Sequence, residues 1–178
     1  MAAMRVLGLA GWSGSGKTTL AAALVGVLVA RGQRVSTIKH AHHAFDIDQP
    51  GKDSYRHREA GAYEVLVASA RRWALMHELR GESEPTLDEL LGHLAPVDLV
   101  LVEGFKAHAH DKIEVHRPAL AQPLLAESDP RIVAIACDER SPGVMARGLP
   151  VLPLGDAAVI ADFVERHCGL AARRLRSA

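Results

Sequence analysis

The sequence predicts an α/β fold: a mostly parallel sheet flanked by helices, with an antiparallel hairpin added, in a single domain spanning residues 1–178. Three observations predict it. Short apolar runs suited to buried strands alternate with helical stretches along the chain. A glycine-rich turn joins the first of these runs to the first helix, the order found in nucleotide-binding sheets. Near the middle, two apolar runs are separated by two residues, the spacing of a hairpin.

Val6-Leu7-Gly8-Leu9-Ala10 reads as a buried strand. Gly11-Trp12-Ser13-Gly14-Ser15-Gly16-Lys17-Thr18 follows and fits G-x-x-x-x-G-K-[ST], the phosphate-cradling P-loop. Thr19 to Ala30, rich in Ala, Leu and Val, is the helix behind it, and Arg31-Gly32 supplies its stop. Arg34 to Lys39 is a second strand. The polar connection from His40 through Gly51 is longer than packed elements usually need, which favours a functional loop. Asp53 and Ser54 are expected to cap a short helix that Gly61 closes. Glu64–Ser69 and Arg72–His77 form the expected hairpin around Ala70-Arg71, without the usual Asn-Gly turn.

Thr86-Leu87-Asp88-Glu89 is a capping box, with Leu87, Leu90, Leu91 and Leu94 on one helical face. Asp98 to Gly104 is then an apolar strand continuous enough for burial on both faces, as in the middle of a parallel sheet. Lys112–His116 and Ile132–Cys137 are further strands, with Val151-Leu152 a short one. Gly155-Asp156 opens a last helix whose Val159, Ile160, Phe163 and Val164 share a face, and Arg173-Arg174-Leu175-Arg176 reads as its solvated tail.

The chemistry centres on the P-loop. Glycines let residues 13–19 curl with their N–H groups pointing at an anion, and the helix N-terminus adds its positive dipole end. Gly11, Ser13, Gly14, Ser15, Gly16, Lys17, Thr18 and Thr19 are the expected phosphate-binding residues. Lys17 would reach the β- and γ-phosphates and Thr18 would ligate Mg²⁺. Such loops pair with an acid ending a neighbouring buried strand. Ligands collect at strand carboxyl ends, so Glu103 is the expected partner for the metal or its water and Asp98, at the other end, is not. Asp46 and Asp48 are rival Mg²⁺ ligands. Lys17 and Glu103 are the candidate catalytic residues.

The guanine-reading Asn/Thr-Lys-x-Asp pattern is absent. Asp138, just after a late strand, could accept from the guanine N1 and N2 hydrogens or be a plain turn residue. No glutamine or in-cis arginine finger stands out, so any hydrolysis is expected to be slow. His40, His42 and His43 invite a metal reading, against solvent-exposed or phosphate-facing histidines; His108 and His110 form a second pair. A small-molecule kinase and a metal-delivery GTPase are the competing functions. The kinase lacks an arginine-rich lid beyond Arg56 and Arg58, and the metal carrier lacks Cys-x-Cys motifs.

Lysine plus arginine equals aspartate plus glutamate at 21 each, so the whole chain carries no nucleic-acid footprint. No run approaches a membrane span. Cys137 and Cys168 suit buried thiols of a cytosolic protein. A cytoplasmic location with neither nucleic acid nor membrane as partner is the expectation.

Several pieces recur together with the P-loop stretch Ala10–Thr19, and the Pro-Gly-Lys-Asp-Ser and Val-Glu-Gly-Phe-Lys pieces are far more specific than that stretch. The pieces are Ile38-Lys39-His40 with His42-His43, Asp46-Ile47-Asp48, Pro50-Gly51-Lys52-Asp53-Ser54, Arg58-Glu59-Ala60-Gly61-Ala62, Arg72-Trp73-Ala74-Leu75-Met76 and Leu101-Val102-Glu103-Gly104-Phe105-Lys106. In that order, over residues 5 to 116, they resemble the molybdopterin-guanine dinucleotide biosynthesis protein B family (MobB). The resemblance implies a homodimeric GTP-binding adapter of the molybdenum-cofactor pathway, using GTP and Mg²⁺, with weak GTPase activity. Its implied partner is the molybdopterin-guanine dinucleotide nucleotidyltransferase, which joins GMP to molybdopterin; the adapter would deliver GTP or hand on the finished cofactor. Lys39, Lys52, Arg56 and Lys106 could meet a molybdopterin cofactor phosphate, or simply pair with Asp46, Asp48 or Asp53.

Overall fold

A computed structural model describes residues 4–41, 45–139, 141–145 and 147–171. The chain divides into two compact units, Met1–His40 with Leu90–Ala178, and Ala41–Glu89. His42, His43 and the basic tail at 173–176 lie outside the described residues.

The larger unit is a parallel sheet. Its strands are β1 (Arg5–Ala10), β2 (Val35–Lys39), β5 (Leu99–Glu103), β6 (Lys112–Val115), β7 (Ile132–Ala136) and β8 (Val151–Leu152), in the order β2-β5-β1-β6-β7-β8. Every pairing is parallel. All the strand carboxyl ends therefore lie along one edge, and the loop after β1 opens there between β5 and β6. β5 is apolar on both faces and buried as far as Val102, as a central parallel strand must be.

One face of the sheet carries the main core. Helix α1 (Lys17–Ala30) buries Leu20, Leu24 and Leu28, spaced four apart on one stripe. They pack with Leu7, Leu9, Leu101, Ile113 and Val115 from the strands and with Ile160, Ala161 and Val164 from α5 (Ala157–Cys168). Arg31 links the two helices, reaching Asp162 and Glu165 at 2.7 Å each. Asp156 caps α5, its carboxylate accepting from the Ala158 and Val159 N–H groups. The buried face of α5 is rotated from the expected one: Val159 is exposed, and Ala161 and Cys168 are inside. The other face holds a smaller cluster of Ala10, Leu124, Ile132, Ile135, Cys137 and Val144, the last from the one-turn helix α4 (Pro142–Met145), too short for hydrophobic periodicity to mark it.

The smaller unit contains α2 (Asp53–Glu59), the strands β3 (Glu64–Ala68) and β4 (Trp73–His77), and the start of α3 (Leu87–Gly92). The hairpin is antiparallel, with Leu66 opposite Leu75 and Ala68 opposite Trp73. It forms a two-stranded sheet of its own rather than extending the parallel one. Its turn works without Asn-Gly because the Ser69 hydroxyl accepts from the Arg71 and Arg72 N–H groups at 3.3 Å. The capping box ahead of α3 is complete: the Glu89 carboxylate accepts from the Thr86 N–H at 2.7 Å and hydroxyl at 2.8 Å. The α2 cap differs from expectation. Lys52 occupies that position without a side-chain bond, because Asp53 already lies inside the first turn and the Ser54 hydroxyl donates to Asp48 instead.

Candidate functional site

The loop between β1 and α1 is shaped by its glycines. Gly11, Gly14 and Gly16 have φ of 151°, 77° and 101°, a region that side chains with a Cβ avoid. At Gly11 a Cβ would stand 2.5 Å from the Val115 carbonyl oxygen and 2.7 Å from the Ser15 hydroxyl, so substitution there is blocked by space as well as by backbone. Ser15 is buried with its hydroxyl unpartnered. Ser13, Gly14, Thr18 and Thr19 are exposed.

Lys17 sits at the start of α1, its ammonium donating to the Trp12 carbonyl at 2.8 Å. Burial lowers its affinity for the proton below that of an ordinary lysine; Glu103 works against this, while the charges of Lys106 and Lys39 add to it. Three lysines thus crowd one edge of the sheet around one carboxylate, a field that favours an anion.

Glu103 reaches that edge because β5 is hydrogen-bonded to β1, with Glu103 in register with Leu9 on one side and Lys39 on the other. Its carboxylate accepts from the Thr18 hydroxyl at 2.8 and 3.1 Å, and Lys39 Nζ lies 3.9 Å away. Asp98, at the opposite end of β5, accepts from the Arg34 N–H at 2.8 Å. After Glu103 the chain turns through Gly104 and Phe105, both left-handed. A Cβ on Gly104 would stand 2.5 Å from His40 Cβ. The turn seats Phe105 against the His40 ring, centroids 4.8 Å apart, and places Lys106 Nζ 5.3 Å above the Trp12 ring.

Asp138 follows β7 at the same edge of the sheet, exposed, with its carboxylate accepting from the Gly155 N–H at 2.9 Å. Asp46, Asp48, Lys52 and Arg56 belong to the smaller unit. Arg58, on α2, binds Asp46 at 2.6 Å and Glu78 at 3.1 Å, with Asp48 at 3.6 Å. The hydrogen bond from Arg58 holds the Asp46 carboxyl below the usual range. Among the described residues there is no group of three or more side chains suited to holding a metal ion.

Sequence reasoning missed the other wall of the loop. Arg117, just past β6, donates from Nε to the Ser15 carbonyl at 2.9 Å, and the Trp12 indole donates to the Pro123 carbonyl at 2.8 Å. It also missed the buried polar row His110, Lys112, Glu114 and His116 beneath that wall. Only the two-residue spacing of these four hinted at a shared strand face.

These residues fit a nucleotide's phosphates and a hard cation. The loop offers glycine-shaped backbone at the start of a helix and a buried hydroxyl, and Thr18 and Glu103 present adjoining oxygens, the donor type Mg²⁺ prefers. The family model "Molybdopterin guanine dinucleotide synthesis protein B" matches residues 6–138, which include the whole loop, Glu103 and Arg117. The chain belongs to that MobB family. The molybdopterin-guanine dinucleotide biosynthesis adapter protein of Escherichia coli (strain K12) is 42% identical over 162 residues, covering 89% of this chain and 90% of that protein. The adapter protein of the same name from Haemophilus influenzae is 43% identical over 162 residues, covering 90% of this chain and 87% of that protein. Among solved structures, one of molybdopterin-guanine biosynthesis protein B (MobB) aligns with a TM-score of 0.69 at 29% identity, over 91% of this chain and 99% of that one. A MobB homolog from Bacillus stearothermophilus gives 0.66 at 27% identity, over 94% of this chain and all of that one (100%). The sheet order and the separate hairpin are thus set in a family fold.

Proposed function

We propose that this MobB-family chain is a GTP-binding adapter in molybdenum-cofactor biosynthesis. It acts on the nucleotidyltransferase that joins GMP to molybdopterin, delivering GTP or handing on the finished cofactor. The observation that carries the nucleotide half is the hydrogen bond between Thr18 and Glu103. It joins the P-loop hydroxyl to the acid at the end of the adjacent strand, the pair that would share Mg²⁺. Residues 11–19 would cradle the phosphates, with Lys17 on the terminal ones. Glu103 would hold the metal or its water, and Asp138 would face the guanine once its turn bond to Gly155 is shared or released.

Any hydrolysis of GTP to GDP and phosphate is slow in this reading, since the sequence offers no recognisable water-orienting glutamine. A homodimer is the working state. The hairpin leaves Leu66, Trp73 and Leu75 exposed on one face, more apolar side chain than a lone two-stranded sheet usually shows to water. No described helix is long and apolar enough to cross a membrane, in keeping with work in the cytoplasm.

The adapter half is tested by adding the purified chain to the nucleotidyltransferase with GTP, Mg²⁺ and molybdopterin. Co-precipitation and faster dinucleotide formation are expected. A transferase that neither binds the chain nor responds to it contradicts the adapter role.

A further inference from the structure

Residues 116–129 run from β6 to β7 with nothing more regular than two short 3-10 turns, Pro118–Leu120 and Leu125–Glu127, yet they are tied down along their length. The Glu114 carboxylate, fully buried, accepts from the Leu125 N–H at 2.7 Å and the Ala126 N–H at 2.9 Å. Lys112 holds Asp129 at 3.1 Å. Trp12 holds Pro123 from the P-loop side. Arg147 holds Glu127 at 2.9 Å. Arg117 is the tie that closes on the loop's backbone.

Its guanidinium lies beside Gly16, where a Cβ would be 3.5 Å from Nη2 and 3.6 Å from Nε. Arg117 itself is extended, with φ −126° and ψ 110°, as a residue preceding proline tends to be. The bond it makes is to the Ser15 carbonyl, which belongs to the same planar peptide as the Gly16 N–H. In a trans peptide these two groups point in opposite directions. Fixing the carbonyl outward therefore fixes the N–H inward. Without that tie the plane could turn over cheaply, because Gly16 tolerates both signs of φ. The positive charge also polarises the peptide, strengthening its N–H as a donor.

We propose that Arg117 is a positioning residue of the nucleotide site, clamping the Ser15–Gly16 peptide so that its N–H faces the bound phosphates. This rests on the nucleotide reading above. Arg117 touches the outer wall of the loop, so its effect is on phosphate affinity and applies to GDP as well as GTP.

The test is calorimetric titration of the full chain with GTP and with GDP, in Mg²⁺, for the parent and for Arg117→Ala, Arg117→Lys and Lys17→Ala, beside thermal unfolding of each without nucleotide. Arg117→Ala should weaken both nucleotides about tenfold, the scale of one charge-assisted hydrogen bond. Its nucleotide-free unfolding temperature should match the parent's, and Arg117→Lys should recover most of the affinity. Binding by Arg117→Ala within about twofold of the parent, while Lys17→Ala loses binding, overturns the positioning role alone. So does a loss that tracks a lowered unfolding temperature and is not rescued by lysine. A parent that binds neither nucleotide removes the nucleotide reading itself, and this inference with it.

Discussion

β5 and β6 flank β1 on its two sides and are almost equally buried, yet they are built from opposite residues. β5 is Leu-Val-Leu-Val until Glu103, and its one polar residue stands at the edge where the P-loop opens. β6 has Ile113 and Val115 facing the main core and Lys112, Glu114 and then His116 on its other face. A buried charge is costly unless paired and hydrogen-bonded. Those of β6 are: Lys112 on Asp129 and the His108 carbonyl, Glu114 on two backbone N–H groups. The difference teaches that depth alone does not define a strand's task. β5 supplies core plus one site residue, whereas β6 spends its second face fixing the irregular segment that buttresses the loop.

The largest expected effect lies on β5. Leu101→Ala, at a fully packed position, should destabilise the fold by about 3–5 kcal/mol, the range for truncating a buried leucine. Urea unfolding measures it, and a loss below about 1 kcal/mol would mean that β5 is not a core packing strand.

A pH effect on the β6 side comes next. Burial, helped by the Lys112 charge and by His108, pulls the His110 imidazole down to about 4 from 6.5. Its Nε2 is unpartnered and lies where a Cβ on Gly8 would stand 2.5 Å away, so a neutral ring fills the space that Gly8 leaves. Between those two values the unfolded chain binds the proton and the folded chain does not. Stability therefore rises with pH across this window, and it is lost as pH falls below 6.5, by roughly 3 kcal/mol at pH 4. Unfolding titrations across the window should show a shallower slope for His110→Leu than for the parent. Equal slopes would contradict a neutral buried imidazole.

Glu114→Gln is the smallest of the three, about 2 kcal/mol for a charged acceptor replaced by a neutral one. Its signature is local: amide hydrogen exchange should quicken at Leu125 and Ala126 before it does on β5. Uniform quickening across the sheet would show that Glu114 is core filling rather than an anchor.

The contrast also explains what the sequence could reveal. β5 and the P-loop were legible because their signals are contiguous: an unbroken apolar run, and glycines at fixed spacing before a helix. Glu103 followed from its place as the acid at the carboxyl end of that apolar run. The anchors were not legible, since Glu114 finds its partners eleven and twelve residues on, in a segment without periodicity, and Arg117 answers to a carbonyl 102 residues earlier. The hairpin was readable from its two apolar runs, but nothing in them tells a separate sheet from an added edge. The α2 cap was misplaced because Ser54 had a competing acceptor, Asp48, that local capping rules do not weigh.

The central claim is that the loop from Gly11 to Thr19 holds a polyphosphate with Glu103 serving its cation. Calorimetric titration with GTP, with and without Mg²⁺, for the parent, Lys17→Ala and Glu103→Gln tests it most directly. The parent should bind one GTP per chain more tightly with Mg²⁺, Lys17→Ala should lose measurable binding while remaining folded, and Glu103→Gln should lose the Mg²⁺ dependence. GTP binding that is unchanged in Lys17→Ala would contradict the account.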